Sequence, residues 1–301
     1  MGEGTVTIVG VGLIGGSIGL ALRARGLADR VIGVGRDPAR LAHAQRLGAI
    51  DEAAEDAVEA YSQSDLVVVC TPVSRIVDDV CRAAAHARPG CLITDAGSTK
   101  AAIVAGVEAD PAARAAFVGA HPIAGSEASG VDHAHPSLFA GSVCVLTPTE
   151  HTDLRMVERA RGFWSGLGCR VAALSPQAHD IALAKTSHLP HVAASALARA
   201  ATPQVFPLAG GAFRDTTRVA AADGPLWASI FLANRAPLLA EVAQLQVALD
   251  EFRAGLERAD RAALEQWWEL GRRARLGYAR SKSDARALDH PVAMEPDLQT
   301  P

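Results

Sequence analysis

Val6-Thr7-Ile8-Val9-Gly10-Val11-Gly12-Leu13-Ile14-Gly15 is the stretch that decides the fold. An apolar run of strand character leads into glycines spaced G-x-G-x-x-G, and the residues from Gly16 to Arg23 continue with helical character. Each glycine has its own physical task. Gly10 permits a sharp turn, Gly12 lets the backbone approach a pyrophosphate, and Gly15 lets helix and strand pack closely. The N–H groups that open the helix, those of Leu13 and Ile14 among them, lie at the positive end of its dipole and attract a diphosphate. Strand, glycine turn and helix together predict a dinucleotide site of the Rossmann type.

Working outward, short apolar strands alternate with helical segments, as a parallel sheet requires. Strand runs are expected at Arg30–Val34, Asp65–Cys70, Cys91–Asp95, Phe117–Ala120, Ser142–Thr147 and Cys169–Leu174, with helices at Pro38–Leu47 and Asp153–Leu167. From about Gln177 to Tyr278 the chain turns rich in alanine, leucine and arginine, with helical spacing and almost no strand signal. The expected class is therefore α/β: an N-terminal Rossmann-type domain over residues 1–176, then an all-α domain over 177–280 and a disordered tail over 281–301. A single helix from about Leu226 to Leu256 is long for a free surface element. Its apolar face is expected to pack on a second subunit, making a homodimer.

Composition excludes several classes. A net charge of −4 over 301 residues argues against a nucleic-acid partner. Cys70, Cys81, Cys91, Cys144 and Cys169 are scattered without ligand-like spacing, which suits free thiols in a reducing cytoplasm. No apolar run reaches the length of a membrane span.

The adenosine end of the dinucleotide is less clearly written. An acidic residue about twenty positions after the glycine turn would bind the ribose hydroxyls of NAD. That place holds Gly35, followed by Arg36 and Asp37. Arg36 suits a 2′-phosphate or the adenine face, and Asp37 remains able to reach a ribose. NADP is slightly favoured and NAD stays open.

Three segments bring polar groups to strand ends, where loops of an α/β sheet converge. They are Cys70-Thr71-Pro72, expected beside the nicotinamide, Asp95-Ala96-Gly97-Ser98-Thr99-Lys100, and Gly119-Ala120-His121-Pro122-Ile123-Ala124-Gly125-Ser126-Glu127. The His121 imidazole is the side chain best suited to take a proton near neutral pH, with Ser98 available to orient it. In the helical half, Ser187-His188-Leu189-Pro190-His191 and Gly210–Arg218 supply polar pocket lining, Arg218 being suited to a carboxylate. His188 and His191 are set aside as metal ligands because no cysteine completes a set.

Taken in order, G-V-G-L-I-G-G-S-I-G-L-A-L, D-A-G-S-T-K, A-H-P-I-A-G-S-E, S-H-L-P-H and G-G-A-F-R-D-T-T-R-V-A resemble the prephenate/arogenate (cyclohexadienyl) dehydrogenase family, from Val6 to about Ala279. The resemblance implies an NAD(P)-dependent oxidoreductase of tyrosine biosynthesis that dimerises through its helical domain. It implies His121 as the catalytic histidine and Ser98 as its hydrogen-bonding partner. His188, His191, Asp215 and Arg218 become pocket residues, Arg218 holding a substrate carboxylate, with Glu127 and Trp227 nearby. Prephenate, arogenate or an amino analogue of prephenate all stay open as substrate. A β-hydroxyacid dehydrogenase or imine reductase shares the two-domain layout, but would place a lysine or aspartate in the helical domain in place of the His121 loop. A non-enzymatic nicotinamide sensor would need neither His121 nor Arg218.

Overall fold

The computed structural model describes residues 3–125 and 128–287. The chain runs β1 (Glu3–Val9), α1 (Leu13–Arg25), β2 (Ala28–Val34), α2 (Pro38–Arg46), β3 (Glu52–Ala53), α3 (Ala57–Gln63), β4 (Leu66–Val69), α4 (Ile76–His86), β5 (Leu92–Asp95), α5 (Ala101–Glu108), α6 (Pro111–Ala116) and β6 (Phe117–Val118). These strands form one sheet in the order β3-β2-β1-β4-β5-β6, every pair parallel. Strand order reverses between β1 and β4, and a crevice opens there beyond the carboxyl ends of the strands.

Both faces of the sheet are covered, which is why β1, β4 and β5 read as continuous apolar runs. On one face, Ile18 and Leu22 of α1 and Leu41 of α2 pack with Val6, Ile8 and Val68. On the other, Ile76 and Val80 of α4, Ile103 and Val107 of α5, and Ile230 from the distant helical half pack with Val67, Val69 and Ile93. The end signals behave as their chemistry dictates. Asp37 caps α2 by accepting from the Ala39 and Arg40 amides, with Pro38 in the first turn, and α1 stops at Gly26 in the left-handed region.

The sheet departs from expectation beyond β6. The run expected at Phe117–Ala120 divides at Gly119, and the next three strands, β7 (Ala120–Pro122), β8 (Val143–Leu146) and β9 (Arg170–Ala173), form a separate sheet. There β7 lies antiparallel to β8, and β8 parallel to β9. Helix α7 (Leu154–Gly166) joins β8 to β9, and its Trp164 is fully buried against Phe139 and Phe163. Gly119 is required at the corner because a Cβ there would stand 2.5 Å from Thr147 Oγ1.

The helical half begins at α8 (Pro176–Leu183), capped by Ser175. A π-helical turn at Ala184–His188 leads into α9 (Leu189–Ala200), followed by α10 (Gly211–Thr217), α11 (Gly224–Ala233), α12 (Arg235–Glu257) and α13 (Arg261–Ala287). The helix expected from Leu226 to Leu256 is thus two helices, broken at Asn234 with φ −110° and ψ 35°. That break has a chemical reason. Asn234 is buried, and its side-chain amide donates to the Asp180 carbonyl at 2.7 Å and to His188 Nδ1 at 3.0 Å. The expected tail is corrected as well: α13 carries on through Ala287, and positions 288–301 lie outside the described residues. Helices α12 and α13 form a hairpin stitched by Trp267 Nε1 to the Ala248 carbonyl and by Phe252 against Trp267. All five cysteines are free thiols. No helix among the described residues is long and apolar enough to cross a membrane.

Candidate active site

A cleft of about 570 Å³ sits where the sheet's carboxyl edge meets the helical half. Its sheet-side wall is Gly12, Leu13 and Ile14, then Thr71 and Pro72, then Ser98, then His121. Its helical wall is Ser187, His191, Arg218 and Trp227. Residues spaced over two hundred positions therefore meet around one volume of the size small-molecule sites occupy.

The nucleotide end fits a dinucleotide on direct geometric grounds. Gly10 has φ +92°, and a Cβ there would meet the Cys70 carbonyl at 3.0 Å, while a Cβ at Gly15 would collide with the Gly10 carbonyl. Gly12 differs: a Cβ there meets nothing within 4 Å, so its backbone faces open cleft. The first turn of α1 has neither an acidic side chain nor a side-chain cap, leaving its N–H groups to an anion. Thr71 is held by its hydroxyl, which donates to Asp79 Oδ2 at 2.7 Å, and Asp79 in turn pairs with Arg75. Arg36 is exposed at the far end of β2 and does not line this cleft.

The polar floor is built around Asp95 and Lys100. Asp95, at the end of β5, accepts from the amides of Gly97 and Ala120, each at 2.9 Å, and from the Lys100 ammonium. Lys100 Nζ also donates to the Ala120 carbonyl at 2.8 Å. Both side chains are wholly buried. Burial pulls the Lys100 pKa down, and the touching Asp95 carboxylate opposes that pull. The pair fixes both peptide groups of Ala120, and so the direction from which His121 leaves β7.

His121 is almost buried, and its pKa lies well below the ordinary 6.5 because of desolvation, then His179, Lys100 and His188. Its Nδ1 lies 2.8 Å from His179 Nε2, and His179 Nδ1 lies 2.8 Å from Asp180 Oδ1. The hydrogen-bonding partner expected for His121 was Ser98. The structure brings Ser98 to the cleft wall but gives the Nδ1 bond to His179, which enters from the first turns of α8.

On the opposite wall, His191 Nδ1 donates to the Ser187 carbonyl at 2.8 Å, and its ring stacks on Trp227 at 3.5 Å between centroids. Burial lowers its pKa, and the nearby Arg218 charge lowers it further. Ser187 belongs to the π turn, which runs directly into the helix start that carries His191. His188 lies behind the cleft wall, buried, edge-on to Trp227, with its pKa pushed down to about 4 by desolvation. It supports the pocket without lining it. Asp215 is turned outward and pairs with Arg214 Nε at 2.9 Å, away from the cleft lining. Glu127 lies outside the described residues. No group of three or more metal-ligating side chains occurs among the described residues.

Sequence reading did not single out His179, Asp180 or Asn234. The signal available was slight: adjacent histidine and aspartate one turn after a Ser-Pro helix start. Only the fold reveals that this turn lies under β7.

Comparison with known proteins agrees with the geometry. The model of the prephenate dehydrogenase nucleotide-binding domain matches residues 18–173, and that of the prephenate dehydrogenase dimerization domain matches 175–270. A cyclohexadienyl dehydrogenase of Zymomonas mobilis is 34% identical over 286 residues, spanning 90% of this chain and 94% of its own. A prephenate dehydrogenase of Bacillus subtilis is 32% identical over 281 residues, spanning 91% of this chain and 76% of its own. Among solved structures, prephenate dehydrogenase from A. aeolicus in complex with hydroxyphenyl propionate and NAD+ superposes with a TM-score of 0.86 at 30% identity, covering 92% of this chain and 99% of that one. The chain belongs to the prephenate dehydrogenase family.

Proposed function

We propose that this protein is a prephenate dehydrogenase, which oxidises and decarboxylates prephenate to 4-hydroxyphenylpyruvate with NADP favoured over NAD. The observation that carries the reading is the cleft itself, with an open glycine cradle at one end and a nearly buried neutral imidazole, His121, facing an arginine, Arg218, across it. Prephenate carries a ring carboxylate, a pyruvyl carboxylate and a ring hydroxyl. Arg218 is placed to hold a carboxylate by a charge-assisted bond. His121, uncharged at neutral pH, is placed to take the hydroxyl proton. When bound, the nicotinamide accepts hydride from the hydroxyl-bearing carbon. Loss of carbon dioxide then makes the ring aromatic and supplies the driving force, so the protein's task is mainly alignment. Ser98 and Thr71 line the sheet side of the same volume and assist that alignment.

The preference for NADP rests on the end of β2. Gly35 stands where an acid would repel a 2′-phosphate, and the Asp37 carboxylate is already engaged with two amides of α2 and with Arg40. Arg36 is exposed and able to receive the phosphate. The apolar residues left exposed on the helical half, Leu232, Leu239, Leu249 and Trp268 among them, support a homodimer through that half. One assay tests the function: purified protein with prephenate or arogenate, crossed with NADP or NAD, followed by reduced-nicotinamide absorbance. Turnover of prephenate with the higher kcat/KM for NADP is expected. No turnover of either cyclohexadiene would overturn the assignment, and a higher kcat/KM for NAD would overturn the cofactor preference alone.

A further inference from the structure

We propose that His179 and Asp180 form a proton relay behind His121, so that the positive charge created when His121 takes the substrate's proton comes to rest on His179 and not on the residue that removed it. The proposal rests on the reading of His121 as the base.

The hydrogen-bond geometry dictates the tautomers. The Asp180 carboxylate accepts from Lys100 N at 2.7 Å and Ala101 N at 2.9 Å, at the start of α5, and approaches His179 Nδ1 at 2.8 Å. One backbone N–H donates to each of its two oxygens, so the carboxylate acts here as an acceptor. His179 Nδ1 therefore carries the hydrogen, and in the neutral ring Nε2 offers a lone pair. His121 Nδ1, 2.8 Å away, must then carry its own hydrogen and donate it. That leaves His121 Nε2 as an unprotonated acceptor, the form a general base requires.

When substrate is oxidised, the hydroxyl O–H bond breaks and the proton joins His121 Nε2. The His121 Nδ1–H bond then breaks as a bond forms between that hydrogen and His179 Nε2. The products of the relay are neutral His121, with hydrogen on Nε2, and His179 imidazolium against the Asp180 carboxylate. No electrons are exchanged in these steps.

Burial lowers the pKa of both imidazoles, but the charged groups around them favour that final placement. The groups acting on His121 are His179 from α8, Lys100 from the start of α5 and His188 from the π turn, and each opposes a positive charge there. Around His179 stand Asp180 beside it and Asp95 at the end of β5, both favouring its charge, with Lys100 opposing. Two carboxylates thus attend the inner imidazole and none the outer one.

The test is His179→Gln, whose side-chain oxygen can still accept from His121 Nδ1 but cannot take a proton. In the native enzyme at low pH, a proton settling on His179 reverses the bond, forces hydrogen onto His121 Nε2 and stops the reaction. In His179→Gln only His121 can be protonated, amid groups that oppose it. The expected result is a fall of about 10–10²-fold in kcat and an acid limb of the kcat–pH profile displaced to lower pH, with KM unchanged. A folded variant whose acid limb stays in place would overturn the relay. Independently of any variant, ¹⁵N NMR of the histidine-labelled native protein should show His121 with an unprotonated Nε2 and a protonated Nδ1. The opposite tautomer would also overturn it. His121→Asn separates the two levels of argument. Full activity in His121→Asn removes the base reading itself, whereas an inactive His121→Asn beside an unaltered pH profile in His179→Gln removes the relay alone.

Discussion

At the scale of single residues, the proposed function divides the cleft's labour between an imidazole that moves a proton and an arginine that holds charge. His121→Asn is expected to lower kcat by about 10²–10⁴-fold with cofactor affinity intact. Steady-state rates and a nucleotide fluorescence titration would check this. Arg218→Ala should act mainly on KM, since it removes a charge-assisted contact made in the ground state as well as later. An equal loss in kcat with KM unmoved would contradict that role. Lys100 touches no cleft surface, yet its loss should be felt in folding. Lys100→Met leaves the buried Asp95 carboxylate without its counter-charge, at a cost of about 3–5 kcal/mol by denaturant titration.

At the scale of elements, irregularities do the positioning. The π turn at Ala184–His188 supplies the Ser187 carbonyl that holds the His191 ring, and the break at Asn234 lets an amide reach across to the Asp180 carbonyl and to His188. Asn234→Leu should cost about 1–3 kcal/mol, because two buried acceptors lose their donor, and thermal unfolding would register it. The glycine turn, the parallel strands and the helical half were all legible in sequence, because each rests on local spacing and burial. So were Ser98, His121, His191 and Arg218 as cleft residues, since they sit in recognisable loops or helix starts, while Trp227 followed only from the family resemblance. What sequence could not supply was pairing across the chain. His179 lies 58 positions from His121, and nothing local says that α8 runs beneath β7. The antiparallel turn at β7 was hidden for the same reason: it depends on Gly119 meeting Thr147. Asn234 was concealed by an apolar flanking pattern that suits one continuous helix as well as two. Asp215, by contrast, reads as a pocket residue and is turned toward Arg214 instead.

At the scale of the whole molecule, stability depends on a neutral imidazole, as the proposed mechanism does. His188 has a folded pKa of about 4 against an ordinary 6.5. The unfolded chain therefore binds the proton first, and stability present above pH 6.5 is lost as pH falls toward 4, by up to about 3 kcal/mol. The melting temperature should drop over that window and drop less in His188→Gln. Association is a second whole-molecule property. Leu232 is 73% and Leu239 57% exposed, and Leu232→Glu with Leu239→Glu should shift light-scattering mass from twice 31.2 kDa to one chain's mass. The Asp180 carboxylate has one more consequence at this scale. It belongs to the helical half but is anchored on the first amides of α5 in the nucleotide-binding half. The two halves are thus joined by hydrogen bonds directly beside the His121–His179 pair, which ties the placement of that imidazole to the docking of one half on the other.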